Sequence, residues 1–199
     1  MTQSDTALLQ ELTDLLRSLV DIPDEEMVWL RQAVKPCSFP AGDTLFRTGV
    51  QDGSVHFICS GLVRYFYQTE EGLERNHTFA GEKTLVACLG SYITDSPCRF
   101  SVETLEPTRT LQISAAAVMH MEQRHTCWIR LKLRLMEHVA LRKEQREADF
   151  LLTSAAGRYR LFLEMYPQLV QRIPQYHIAS FLGITPVALS RIRRRLNPG

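Results

Sequence analysis

Between Gln175 and Arg195 the chain reads QYHIASFLGITPVALSRIRRR, a window that leaves few alternatives to two short helices joined by a glycine turn, a helix-turn-helix. Ala179 supplies the small side chain where two helix backbones approach. Gly183 stands where the turn needs a positive φ that other residues resist. Ile178, Leu182, Ile184, Leu189 and Ile192 fall at the spacings that close a core between the helices. The competing reading is an ordinary helical hairpin that packs a core and nothing more.

The second helix is expected to start at Thr185, whose hydroxyl caps the first-turn amides, with Pro186 following at a preset φ. With Leu189, Ile192 and Leu196 turned inward, a rotation of about 100° per residue puts Val187, Arg191 and Arg194 on the outward stripe, flanked by Ser190 and Arg195. Such a stripe suits a DNA major groove. The Arg191 guanidinium matches the two acceptors of guanine, Ser190 and Arg194 or Arg195 are placed to hold phosphates, and Val187 offers apolar contact. Thr185 and Pro186, with Gln175 and Tyr176 at the start of the first helix, complete the candidate DNA-binding set. For each arginine the alternative is a solvated surface charge.

Charge is divided unevenly along the chain. From Thr153 onward seven arginines stand against the single Glu164, a formal +6, which leaves −5 on the remainder. A basic end on an acidic body localises phosphate attraction. The 199 residues suffice for one large or two small domains with a hydrophobic core. The five cysteines (Cys37, Cys59, Cys88, Cys98, Cys127) include no CxxC pair, and no secretory leader opens the chain, which predicts a reducing cytoplasm. No run approaches the roughly 18 apolar residues of a membrane span, so no membrane partner is expected.

Leucines at 8, 9, 12, 15, 16 and 19 predict a helix over Asp5 to Val20, and a second is expected from Asp24 to Val34. From Lys35 to Ile113 the pattern turns to short β-rich runs: Thr44–Phe46, Val55–Cys59, Leu62–Tyr67, Arg75–Phe79, Phe100–Thr104 and Arg109–Ile113. Gly42, Gly49, Gly53, Gly61, Gly72 and Gly81 mark the turns between them, which predicts an antiparallel sandwich or roll. Helical periodicity returns with Ala115 to Gln123 and a long helix from Thr126 to Leu152. Its seam of Ile129, Leu133, Met136, Ala140, Lys143, Glu147 and Phe150 has coiled-coil spacing at first and is too polar to continue cleanly. The seam serves either a dimer or the chain's own β-roll. Arg158 to Tyr166 and Pro167 to Arg172 are read as short bracing helices.

Taken in order, these pieces resemble the Crp/Fnr family of bacterial transcription regulators over nearly the full chain. Phe39-Pro-Ala-Gly-Asp-Thr-Leu-Phe-Arg-Thr-Gly49 resembles the family's opening β-roll turn and Phe57-Ile-Cys-Ser-Gly-Leu-Val-Arg64 its central strand pair. Ala156-Gly157-Arg158 resembles the start of its DNA-binding domain. The resemblance implies a homodimer in which a cyclic-nucleotide-type β-roll senses a small molecule and the long helix relays that state to a pair of DNA readers on a palindromic site.

Departures from the family narrow that implication. Where nucleotide-binding members carry a Gly-Glu and an Arg-Ser pair, this chain has Gly90 to Ser101, without the glutamate. Gly90, Ser91, Arg99, Phe100 and Ser101 are the candidate effector residues, with Arg99 either facing an anion or lying on a surface loop. Cyclic AMP is not the expected ligand, because Lys143 and Glu144 stand where a threonine-serine pair would meet adenine. The N-terminal cysteine cluster of the iron–sulfur branch is absent. The reader's usual glutamate is replaced by Val187, which changes the DNA preference, and with only three residues after Leu196 the usual β-hairpin wing is missing.

No metal-ligand spacing, GxSxG elbow or phosphate loop appears, so neither catalytic residues, metal nor fixed cofactor is expected. The six histidines (His56, His77, His120, His125, His138, His177) read as surface or satisfied core residues, and Trp29 and Trp128 as helix packing. A thiol sensor built on Cys88 and Cys98 stays open.

The expected fold class is α+β: a jelly-roll-like, double-stranded antiparallel β-roll sensor over 1–125, a dimerisation helix over 126–152, and an all-α helix-turn-helix domain over 153–199 that lacks most of the wing. The expected partners are double-stranded DNA, a second copy of the chain and RNA polymerase. The alternative is a ligand-binding or protein-interaction module of the same fold that no longer grips DNA.

Overall fold

The β-rich middle of the chain pairs into two four-stranded sheets, ordered β1-β8-β3-β6 and β2-β7-β4-β5, with every pairing antiparallel. The computed structural model describes residues 3–196. In chain order its elements are α1 (Gln3–Leu19), α2 (Asp24–Ala33), β1 (Val34–Phe39), β2 (Thr44–Phe46), β3 (Val55–Ser60), β4 (Val63–Gln68), β5 (Glu74–Ala80), β6 (Leu85–Ala87), α3 (Leu89–Thr94), β7 (Ser101–Thr104), β8 (Thr108–Ile113), α4 (Ala115–Arg124), α5 (Thr126–Leu152), α6 (Ala155–Met165), α7 (Gln175–Leu182) and α8 (Pro186–Leu196). The α+β class and the antiparallel roll are as the sequence predicts.

Three apolar clusters hold the chain together. Ile58 and Val86 of one sheet meet Phe46, Val63, Ala80 and Val102 of the other to form the interior of the roll. Phe57, Leu111 and Ile113 point the opposite way and pack under α1, α2, α4 and the start of α5. That arrangement explains why His56 to Cys59 of β3 are buried without alternation: both faces of the strand are covered. Glu26 of α2 is buried in this second cluster. It accepts from Arg124 at 3.1 Å and from the indole of Trp128 at 2.7 Å, and the Arg124 bond outweighs burial to lower its pKa.

The third cluster joins the roll to the C-terminal helices. Leu62 and Phe79 enter a core with Tyr159, Phe162, Tyr166, Ile178, Phe181 and Leu189, where Phe79 meets Phe162 nearly edge-on. The outer face of the β4–β5 hairpin therefore lies against the two-helix unit.

Several local expectations need correction. β1 and β6 escape sequence reading because one carries Lys35 and Pro36 and the other spans three residues. Pro36 is tolerated because β1 is an edge strand. Pro167 to Arg172 is not a helix but a succession of turns closed by bonds such as Arg172 N to Leu169 O, 2.8 Å. Of the glycines expected at turns, Gly42, Gly49, Gly61 and Gly72 take positive φ, whereas Gly53 and Gly81 do not. At the latter bend Lys83 adopts the left-handed conformation, and Gly81 instead leaves room for Leu169, whose Cδ2 would stand 2.7 Å from an added Cβ.

Candidate nucleic-acid interface and sensor cleft

Gly183 closes α7 with φ +70°, and its amide returns to the helix at Ser180 O. Two residues later the Thr185 hydroxyl accepts from Ala188 N at 3.2 Å, the expected cap, and Pro186 opens α8. Ala179 and Leu189 are fully buried between the helices, so α8 is held by its inner face alone. Its outer face is free: Val187 is 62% exposed, and Thr185, Pro186, Ser190, Arg191, Arg194 and Arg195 are exposed with it. Gln175 and Tyr176 are exposed at the start of α7. The structure thus brings the nine candidate DNA-binding residues to the surface of one two-helix unit. Residues 197–199, where any wing would begin, lie outside the described residues.

Two arginines counted in the basic end are spent inside the protein. Arg158 donates to Leu182 O and Thr153 O, which ties α6 to the turn. Arg172 chelates Glu82 and Glu106 of the roll, and its bonds draw the Glu82 carboxyl down to about 2. The attraction of this end for phosphate therefore rests on Arg160 and the α8 arginines, not on all seven.

The first helix of the unit is clasped by the roll. Arg64, 4% exposed, pairs with Glu74 at 2.6 Å and Glu103 at 3.0 Å, and stacks 4.0 Å over Phe66. The same guanidinium lies 3.5 Å from His177 Nδ1, which Asn76 Nδ2 also meets at 3.0 Å. Ser180 Oγ accepts from Asn76 N and donates to Glu74 O. Burial first, and Arg64 next, lower the His177 pKa to about 4. Sequence reading misses this network because its members are up to 113 positions apart and no local spacing links them.

The five candidate effector residues are placed differently from one another. Ser91 is buried, its hydroxyl donating to Ser96 O and standing 3.4 Å from Cys98 Sγ. Phe100 packs into the roll against Tyr65 and Tyr67, at 5.4 and 5.9 Å between ring centroids. Ser101 Oγ accepts from Thr48 N, and the Gly90 carbonyl accepts from Thr94 Oγ1. Arg99 and Gly90 stand exposed.

Cys88 and Cys98 are buried, and burial pushes the Cys98 thiol up to about 11, a protonated and unreactive form. Among the described residues no three potential ligands gather as a metal site, and no helix is long and apolar enough to cross a membrane. The first half of the α5 seam is open to solvent: Ile129 and Leu133 are 51% and 58% exposed and Ala140 is exposed too, whereas Lys143, Glu147 and Phe150 of its second half stand beside Tyr67 and His77 of the roll.

Residues 36–125 match the cyclic nucleotide-binding domain family. No curated protein matches the chain at a significant level. Among solved structures it is similar to FixK2 of Bradyrhizobium japonicum, with a TM-score of 0.72 and 15% identity over 82% of this chain and 84% of that one. It is also similar to CLP of Xanthomonas campestris, described as a c-di-GMP-responsive global regulator (TM-score 0.69, 14% identity, 87% and 91% covered). A third is the catabolite activator protein of Thermus thermophilus (TM-score 0.58, 21% identity, 92% and 86% covered). Residues 36–125 are thus similar to the cyclic nucleotide-binding domain family, and the chain as a whole has the fold of the Crp/Fnr-type regulators.

Proposed function

We propose that the chain is a non-enzymatic, DNA-binding transcriptional regulator that acts as a homodimer. In this reading residues 1–125 form the sensor, 126–152 the dimerisation helix and 153–199 the reader. The β-roll senses a small effector, and two copies of α8 enter successive major grooves of a palindromic site. RNA polymerase is the further partner, and the cytoplasm is the compartment.

The observation that carries the reading is the division of α8 into a fully buried Leu189 and an exposed stripe of Val187, Ser190, Arg191 and Arg194. Part of that charge serves the helix end, where cations are favourable, but Arg191 and Arg194 also lie on the exposed stripe. The exposed Ile129 and Leu133 support the dimer, because apolar side chains on one continuous stripe lose water when a second α5 lies against them.

The test is a salt-dependent anisotropy titration of the full chain on DNA from its own upstream region. Binding at low salt is expected, and Arg191→Ala should weaken it about ten- to hundredfold, the 1–3 kcal/mol of a bidentate contact with guanine. Arg194→Ala should instead weaken binding to every sequence alike and reduce the salt slope by about 0.9. If the wild-type chain fails to bind at low salt, the reading is wrong. The dimer is checked separately: Ile129→Glu with Leu133→Glu should halve the mass measured by sedimentation without changing the circular dichroism spectrum.

A further inference from the structure

Away from Gly90–Ser101, an open groove of about 350 Å³ runs between the β4–β5 hairpin and the second half of α5. That volume suits a small organic molecule. Tyr67 and His77 form one wall, and Lys143, Arg146 and Phe150 the other, with Glu147 as the carboxylate at the lining. The site is aromatic and cationic at once. Tyr67 meets His77 edge-on at 5.7 Å, while Arg142, Lys143 and Arg146 surround the histidine with positive charge. Burial and those three cations keep His77 neutral, with a pKa lowered to about 4.

The groove also touches the reader. The Arg146 guanidinium lies 3.9 Å over the Phe181 ring and donates to Phe181 O at 3.1 Å. Phe150 fills the space behind the turn, so that a Cβ on Gly183 would stand 2.9 Å from its ring. Whatever draws Arg146 or Phe150 toward the groove withdraws support from α7 and from the turn into α8.

We infer that this groove binds a small anion carrying an aromatic ring, an aryl phosphate or aryl carboxylate, whose charge Lys143 and Arg146 hold and whose ring lies between Tyr67 and Phe150. The inference rests on the sensing role proposed above and names the class of effector. Charge complementarity selects the anion, because cations outnumber the one lining carboxylate. The aromatic walls select the ring, which gains by stacking and by shedding water. Lys143 and Glu147 also belong to the seam of α5 proposed for the dimer, so a second α5 would cover the open side.

The test titrates the full chain with phenyl phosphate by calorimetry while the His77 ring is followed by NMR. One saturable site per chain is expected, with a shift of the His77 signals and a rise of its pKa, because a bound anion offsets the neighbouring cations. Lys143→Gln should weaken binding at least tenfold, and Glu147→Gln should strengthen it severalfold. Lys35→Gln, on β1, should leave it unchanged, and inorganic phosphate should bind at least tenfold more weakly than phenyl phosphate. The inference is overturned if no saturation occurs, if Lys143→Gln binds as the wild type does, or if inorganic phosphate binds equally well. Both groove positions tested are exposed, so the variants are expected to fold. No DNA enters this experiment, so its failure is distinct from a failure to bind DNA.

Discussion

Arg64→Met destabilises the chain by about 3 kcal/mol, the low end of the cost of removing one partner from a buried ion pair. The low end applies because Glu74 is 40% exposed and can recover water, whereas Glu103 at 26% recovers less. Methionine keeps the packing over Phe66 and removes only the charge and its donors. For a chain of this length the melting temperature should fall by roughly 6–12 °C. A second readout separates charge from volume: without the Arg64 cation, the His177 pKa should rise from about 4 toward the ordinary histidine value. Amide exchange in α7 should quicken as well, since the Asn76, Ser180 and His177 contacts lose their centre. A melting temperature within 2 °C or so of the wild type would show that the clasp contributes nothing.

The second large effect is acid sensitivity well above the carboxylate range. His56, His77 and His177 all have pKa values lowered to about 4, burial being the first cause in each, against 6.5 for a free histidine. Above pH 6.5 all three are neutral in the folded and unfolded chain alike, and their full contribution to stability is present. Between pH 6.5 and 4 the unfolded chain takes up protons that the folded chain refuses, so stability falls as pH falls. At about 1.4 kcal/mol per pH unit for each group, the loss by pH 5 reaches several kcal/mol. Glu26 and Glu82, whose carboxyls are lowered by Arg124 and Arg172, add to the loss only below about pH 4.5. Urea midpoints at pH 7 and pH 5 measure the difference, and His177→Gln should reduce it by about a third. Equal midpoints would refute the assignment.

Local pattern is the part of the structure that is legible in the sequence. α5 spans Thr126–Leu152 as expected because no glycine or proline interrupts its helix-forming residues, and the turn between α7 and α8 is legible because Gly183 and Thr185 each have one suitable job. Strands are legible where β-branched and aromatic residues cluster, and lost where they do not, as at Lys35-Pro36 in β1. Pro167 to Arg172 has helix-forming residues but is too short to nucleate a helix between Tyr166 and Ile173, and the chain wraps it into turns. The long-range pairings are illegible. Nothing around Arg172 announces Glu82 and Glu106, and nothing around His177 announces Arg64, because partners distant in the chain leave no spacing to read. The candidate effector residues show the limit from the other side: a resemblance locates the segment, but packing decides that Ser91 and Phe100 face inward.

β5 has an unusual position, with Asn76 gripping α7 on one side and His77 facing the groove on the other. If the chain senses and reads as proposed, this one strand is the fulcrum between the sensing surface and a lever. The lever is α8, 11 residues and about 16 Å long. A tilt of about 10° at its base sweeps its far end by roughly 3 Å, close to the 3.4 Å that separates neighbouring base pairs. On the proposed DNA-bound dimer, a movement too small to disturb the roll's interior would thus be large enough to shift Arg194 by one step along the duplex.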